Sequence, residues 1–211
     1  VYNIIKLLLQ INFFKFLFNF FTKIKIFRKS IKMNLSNIIY PSKTQPDNME
    51  VDYVIKRDGC KEEMQFDKIL KRIKLLSDNL KINPSRVTQK VCSMIYPNIN
   101  TSELDELAGQ VASSLSTEHP DYGVLASRII ISNHHKNTSP SFSESITILH
   151  AAGMIDNNLK AMVDTHSTKL NDVINYNRDF YIDYFGFKTL ERSYLMRVKN
   201  KIIERPQHLF M

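Results

Sequence analysis

Tryptophan is absent from this chain of 211 residues, and glycine occurs only five times. With so little glycine there is no G-x-G-x-x-G and no G-x-x-x-x-G-K-[ST], so both common glycine-rich phosphate loops are excluded. Cysteine is scarcer still. Cys60 and Cys92 fall in no C-x-x-C and in no Cys/His ligand spacing, which excludes a zinc ribbon or a disulfide framework. They read as two reduced thiols of a cytosolic protein. Acidic residues are missing altogether from residues 1–32, which hold Lys6, Lys15, Lys23, Lys25, Arg28, Lys29 and Lys32. Those seven cations account for nearly all of the formal net charge of +8, so the rest of the chain is close to neutral. A general nucleic-acid-binding surface is therefore not expected.

Long uninterrupted apolar runs are lacking too. The stretch from Ile4 to Phe21 comes nearest, but Lys6, Gln10, Asn12, Lys15 and Asn19 break it, and it makes a poor spanning helix. No small-residue cleavage site follows it, which argues against a signal peptide. The preferred reading of residues 1–32 is a translated upstream extension or an incomplete gene model, with Met33 or Met49 as the start; a membrane-surface amphipathic segment is the alternative. Residues 34–50, rich in Asn, Ser and Pro, read as a polar linker, so residues 1–50 form a disordered or spurious leader and linker.

What is present begins at Tyr53. Tyr53, Ile55 and Arg57 alternate with Val54 and Lys56 in a short strand ended by Asp58-Gly59, a strong hairpin signal, and Lys61 to Phe66 makes the return strand. Asp67 is expected to cap a helix with Ile69, Leu70, Ile73, Leu76 and Leu80 at helical spacing. Asn83-Pro84-Ser85 starts a second helix with Val87, Val91, Met94 and Ile95 on one face, stopped by Pro97. Thr101-Ser102-Glu103 opens a third, carrying Leu104, Leu107, Val111 and Leu115, and its first-turn acid suits the helix dipole. His119-Pro120-Asp121 opens a fourth with Val124, Leu125, Ile129 and Ile130 inward. Beyond Ser139, residues 141–152 and 159–174 read as two helices, and Asn175 to Phe187 as an aromatic loop. The fold class is mainly α, a four-helix bundle capped by a β-hairpin and followed by an incomplete helical segment.

A nucleoside triphosphate carries about four negative charges, so a site for it needs several cations and main-chain N–H groups at helix starts. Lys56 and Arg57 at the hairpin and Lys68 at the next helix start can converge there. The turn at Gln65-Phe66-Asp67 offers main-chain partners to base and phosphates. Taken singly, each of these cations is an ordinary solvated side chain. The pair His134-His135 does not read as a metal site, because adjacent histidines on a helix point in different directions.

The order Val-Ile-Lys-Arg-Asp-Gly at 54–59, Phe-Asp-Lys-Ile at 66–69, Thr-Ser-Glu-Leu-Asp at 101–105 and His-Pro-Asp-Tyr-Gly-Val-Leu-Ala-Ser-Arg-Ile at 119–129 resembles the ATP-cone. This is the nucleotide-sensing module at the front of ribonucleotide reductase large subunits. Downstream, Tyr-Phe-Gly-Phe-Lys-Thr-Leu-Glu-Arg-Ser-Tyr-Leu at 184–195 and Glu-Arg-Pro-Gln-His at 204–208 are similar to the start of the catalytic region in class I large subunits of eukaryotic type. The resemblance runs from about residue 53 to 211 and implies a cone at 51–140 and the first, truncated part of the large-subunit helical domain at 141–211.

It implies ATP or dATP as allosteric effector, with Mg2+ accompanying the triphosphate and nothing tightly bound. Position by position, Lys56 and Lys68 match phosphate-binding lysines, and Arg57 stands beside Lys56. Glu62, Glu63, Met64, Gln65, Phe66, Asp67 and Lys68 match the stretch lining the nucleotide, Thr101 and Asp105 lie near base and sugar, and Lys136 is a further cation. Cys60 and His134 depart from the usual pattern.

For the whole enzyme the resemblance implies a cytoplasmic oxidoreductase of the thioredoxin- or glutaredoxin-dependent kind, which reduces ribonucleoside diphosphates to supply DNA replication. Its partners would be a small radical-generating subunit and further copies of itself, with no nucleic acid and no membrane. The family's catalytic cysteines are not among these residues, so no catalytic residue is assigned and this piece is expected to be inactive alone. The alternative is a stand-alone cone-type adaptor without reductase activity.

Overall fold

The computed structural model describes residues 53–211, so the expectations for residues 1–50 lie outside the described residues. Strand β1 (Tyr53–Ile55) pairs antiparallel with β2 (Lys61–Glu63), with Ile55 opposite Lys61. The connection is longer than a two-residue hairpin. The Lys56 N–H donates to the Cys60 carbonyl at 2.8 Å, Asp58 Oδ1 accepts from the Cys60 N–H at 2.9 Å, and Gly59 adopts φ 85°. That left-handed backbone is where a side chain would be strained, which is why the Asp-Gly signal falls at the tip. Arg57 therefore leaves the strand instead of continuing its alternation.

Helix α1 (Phe66–Leu76) has Gln65, not Asp67, at its N-cap; Asp67 stands in the first turn as a charge favourable to the dipole. Helix α2 (Pro84–Cys92) starts as expected, with the Asn83 side chain accepting from the Ser85 N–H and Pro84 in the first turn. It ends at Cys92, short of Pro97, so Met94 lies beyond it and is exposed, while Val87 and Val91 are fully buried.

After Asn98, at φ 60°, a two-residue strand β3 (Ile99–Asn100) pairs parallel with β1, giving a three-stranded sheet in the order β2-β1-β3. It runs directly into α3 (Thr101–Ser114), where Glu103 Oε2 accepts from the Asn100 N–H and from the Tyr96 hydroxyl. A 3₁₀ turn (Leu115–Thr117) leads to α4 (Pro120–Asn137), capped by His119 Nδ1 accepting from the Asp121 N–H.

Helices α3 and α4 form the central pair of the bundle. Gly109 sits at their crossing, where a Cβ would come within 2.4 Å of Ile130 Cδ1. One core gathers Ile69, Ile73, Val87, Val91, Val111, Leu115, Leu125 and Ile129 from all four helices and the 3₁₀ turn, and a smaller one joins Val54, Met64 and Ile99 beneath the sheet. Val124, expected inward, is 40 % exposed; the buried face of α4 runs instead through Tyr122, Leu125, Ala126, Ile129 and Ile130.

Helix α5 (Phe142–Ala151) follows as expected. The stretch expected as one helix at 159–174 is two, α6 (Asn157–Thr165) and α7 (Ser167–Val173), broken at His166. Both pack on α5, where Val163 is fully buried with Phe142 and Ile146. The expected aromatic loop contains a 3₁₀ turn (Tyr176–Tyr181) and the start of α8 (Tyr184–Ser193), opened by Asp183 accepting from the Gly186 N–H. Phe187 of α8 is fully buried against Ile130 and Ile131. A short hairpin, β4 (Arg197–Val198) and β5 (Lys201–Ile202), and a single turn α9 (Pro206–Leu209) complete the described chain. No helix among the described residues is long and apolar enough to cross a membrane.

Candidate functional site

The pairing of β3 with β1 brings the first turn of α3 beside the loop that follows β1, and α1 closes the third side. Between them lies a cavity of about 750 Å³. Its floor is apolar, built from Ile69 and Ile73 of α1, Leu104 and Ala108 of α3, and Ile129 of α4. Ile69 and Ile73, and Leu104 and Ala108, are each four residues apart, so α1 and α3 each offer one face to the cavity. The rim is charged. Lys56, Arg57, Lys61, Lys68, Arg72 and Lys136 face Asp58, Glu62 and Asp105, six cations against three acids. An apolar floor with a cationic rim suits a ligand that joins a flat ring to a polyanion.

The acids are held in two different ways. Asp105 is buried and accepts from Arg72 Nε at 2.5 Å and Nη2 at 2.9 Å, with Arg57 Nη2 at 3.2 Å. Both carboxylate oxygens are thus engaged, and the bidentate Arg72 fork fixes the plane of the group. Arg57 continues outward, donating to Asn133 Oδ1 at 2.6 Å and Asn137 Oδ1 at 2.9 Å, and Asn133 donates to the Ser102 carbonyl at 3.1 Å. This ties the loop after β1, the start of α3 and the last turns of α4 into one network.

Glu62, by contrast, is at the surface. It bridges Lys56 Nζ at 2.5 Å and Lys68 Nζ, whose hydrogen bonds hold its carboxyl at about 2, well below the usual range. Burial, together with the nearby Arg72 and Arg57 charges and against the pull of Asp105, lowers Lys136. An added anion at the rim would relieve that repulsion.

Of the residues the sequence singled out, Lys56, Arg57, Glu62, Lys68, Thr101, Asp105 and Lys136 line this cavity together. Glu63, Met64, Gln65, Phe66 and Asp67 lie outside its lining. Met64 is buried under the sheet with Val54 and Ile99, Phe66 is 51 % exposed, and Gln65 supplies the carbonyl that accepts the Lys68 N–H at 3.0 Å. Sequence reasoning missed Arg72 and the apolar floor. Arg72 follows Lys68 by one helical turn, and that spacing was the available signal.

The departures have structural answers. His134 is buried, stands edge-on to Phe187 with ring centroids 5.2 Å apart, and its Nε2 donates to the Glu204 carbonyl at 2.9 Å. Cys60 is an exposed free thiol on the cavity rim. Among the described residues there is no cluster of His, Cys, Asp and Glu that could hold a metal ion.

Residues 52–137, which contain the sheet, the four helices and the cavity, match the family model of the ATP cone domain. The similarity to known proteins continues past that domain. The chain is 46% identical over 181 residues to the ribonucleoside-diphosphate reductase large subunit of Dictyostelium discoideum, covering 79% of this chain and 21% of that protein. It is 48% identical over 169 residues to the large subunit of Plasmodium falciparum, covering 75% of this chain and 21% of that one. With large chain 2 of Saccharomyces cerevisiae it shares 48% over 171 residues, covering 75% and 20%. The chain belongs to the family of ribonucleoside-diphosphate reductase large subunits, of which it represents the amino-terminal, cone-bearing part. It spans about a fifth of the length of the curated relatives it matches.

Proposed function

We propose that the cavity binds a nucleoside triphosphate, ATP or dATP, as the effector of a regulatory region. The observation that carries this reading is the excess of cations over acids on the rim of an apolar-floored cavity, within residues that match the cone. In this reading Lys56, Lys68 and Lys136 take the phosphates with accompanying Mg2+, and the base lies on Ile69, Ile73 and Leu104. Thr101 and the Asp105–Arg72 pair stand near the sugar. ATP and dATP differ by one hydroxyl. A polar site senses it because a buried partner left unpaired costs about 1–3 kcal/mol.

The working division is 51–140 as the nucleotide module and 141–211 as the start of the large-subunit helical domain. The whole protein would reduce ribonucleoside diphosphates to their 2′-deoxy forms. Its partners would be a small radical-generating subunit, further copies of the large subunit, and thioredoxin or glutaredoxin as reductant. The adaptor reading is not favoured, because the similarity to the large subunits extends well beyond the cone.

Lys68→Ala is expected to weaken triphosphate binding about tenfold, through loss of a charge-assisted contact. Lys160→Ala, in α6 and outside the cavity lining, is expected to leave it unchanged. Equal effects of the two in calorimetric titration would contradict the assignment.

A further inference from the structure

The two acids that face the rim cations differ in what it takes to move them. Asp105 is buried, with both oxygens engaged by arginines, and pulling it away would strand charge in a desolvated place. Glu62 is held only by two lysines, and Lys56, Lys68 and Glu62 keep between a third and a little over half of their side-chain surfaces in water. Water rehydrates all three when they part, so exposed pairs of this kind are cheap to break. Three separate elements converge here: Lys56 on the loop after β1, Glu62 in the middle of β2, and Lys68 in the first turn of α1. A carboxylate with one oxygen on each of two ammonium groups makes the same contact that a phosphate group makes when two of its oxygens take two lysines.

We propose that Glu62 is a placeholder for a phosphate: its carboxylate bridges Lys56 and Lys68, and an entering triphosphate must displace it to reach them. This rests on the reading of the cavity as a triphosphate site and adds a residue that sets its affinity. The bridge keeps two like charges close together, so the lysines are already placed. In exchange, the ligand has to compete with an anion tethered to the site. The effector concentration at which the cavity fills is then raised by Glu62 instead of being fixed only by the groups that touch the ligand.

The test is titration of the whole chain with inorganic tripolyphosphate and with ATP, comparing the wild type, Glu62→Gln, Lys68→Ala and the double variant, with circular dichroism as the check on folding. Glu62→Gln should bind tripolyphosphate about tenfold more tightly, the gain expected from releasing two exposed ion pairs. In the Lys68→Ala background that gain should shrink by more than half, because one of the two pairs is already gone. Unchanged or weaker tripolyphosphate binding by Glu62→Gln, with wild-type ATP binding intact, would overturn the placeholder alone. An equal gain in both backgrounds would also overturn it, since it would reflect only the lost negative charge. Failure of folded wild type and Glu62→Gln to bind either polyanion would overturn the triphosphate reading along with it.

Discussion

At the scale of single residues, Asp105 organises the site. The resemblance alone put it near base and sugar; the structure adds what holds and orients its carboxylate there. Two guanidinium groups hold it, one from the loop after β1 and one from α1. Neither pairing is a sequence-local event. Arg72 is 33 residues from Asp105 and Arg57 is 48, so no spacing rule could join either to it; the one-turn spacing from Lys68 hinted at Arg72 but not at its partner. Removing the fork should be costly because Arg57 alone cannot fill both carboxylate oxygens. Arg72→Ala is expected to lower stability by about 1–3 kcal/mol, as for loss of hydrogen bonds to a buried charge, and to weaken nucleotide binding. Arg72→Lys should recover only part of either, since an ammonium cannot make the bidentate contact. Urea unfolding and titration of the two variants check this, and full recovery by lysine would contradict it.

At the scale of elements, the helices were largely legible because capping residues and apolar spacing agree locally. Asn83-Pro84 and His119-Pro120 mark starts that the structure keeps. Strand β3 was not legible. Two residues show no alternation, and Ile99 is recognisable as a strand residue only through its pairing with Val54. Yet β3 decides the site, because it sets Thr101 and Asp105 against the cation-bearing loop. The break at His166 was also hidden, in a Thr-His-Ser-Thr run that contains no strong helix former. Close approach of α3 and α4 likewise depends on a residue whose meaning appears only in three dimensions. Gly109→Ala would drive a methyl group into buried Ile130 and is expected to cost about 1–3 kcal/mol, the usual penalty for overpacking. In an exposed helix the same change would stabilise, so the sign of the shift in urea midpoint is the check.

At the scale of the molecule, the cone and the segment after it are joined at the last turn of α4. The Arg205 guanidinium donates to the carbonyls of His135 and Thr138 and to the Thr138 hydroxyl, capping that helix end, and lies 4.6 Å from the centre of the Tyr176 ring. His135 donates to buried Asp179 at 2.7 Å, and His134 to the Glu204 carbonyl. On its other face the same turn carries Lys136 and Asn137 toward the cavity and the Arg57 network. The interlock was invisible in the sequence, where the pair His134-His135 showed only that it is no metal site and Lys136 stood as a further cation of the nucleotide site.

This interlock is expected to respond to pH. Burial pushes both His134 and His208 down to about 4. In His208, Nδ1 accepts the Arg205 N–H at 3.3 Å, so a proton there would set two donors against each other. Both folded values lie below the unfolded one near 6.5, so the unfolded chain takes up protons first. Stability is present in full above about 6.5 and is lost as pH falls toward 4, by about 1.4 kcal/mol for each unit of displacement per group as an upper bound. Urea unfolding between pH 7.5 and 5, above the carboxylate range, should show this decline. A flat profile would contradict it, and His134→Gln should reduce the slope.

The most direct test of the central claim is calorimetric titration of the whole chain with ATP and with dATP in the presence of Mg2+. One saturable site per chain, with different affinities for the two and loss of binding in a Lys56→Ala/Lys68→Ala variant, is the predicted result. A folded protein that gives no saturable heat with either nucleotide would contradict the assignment of the cavity as a nucleotide sensor.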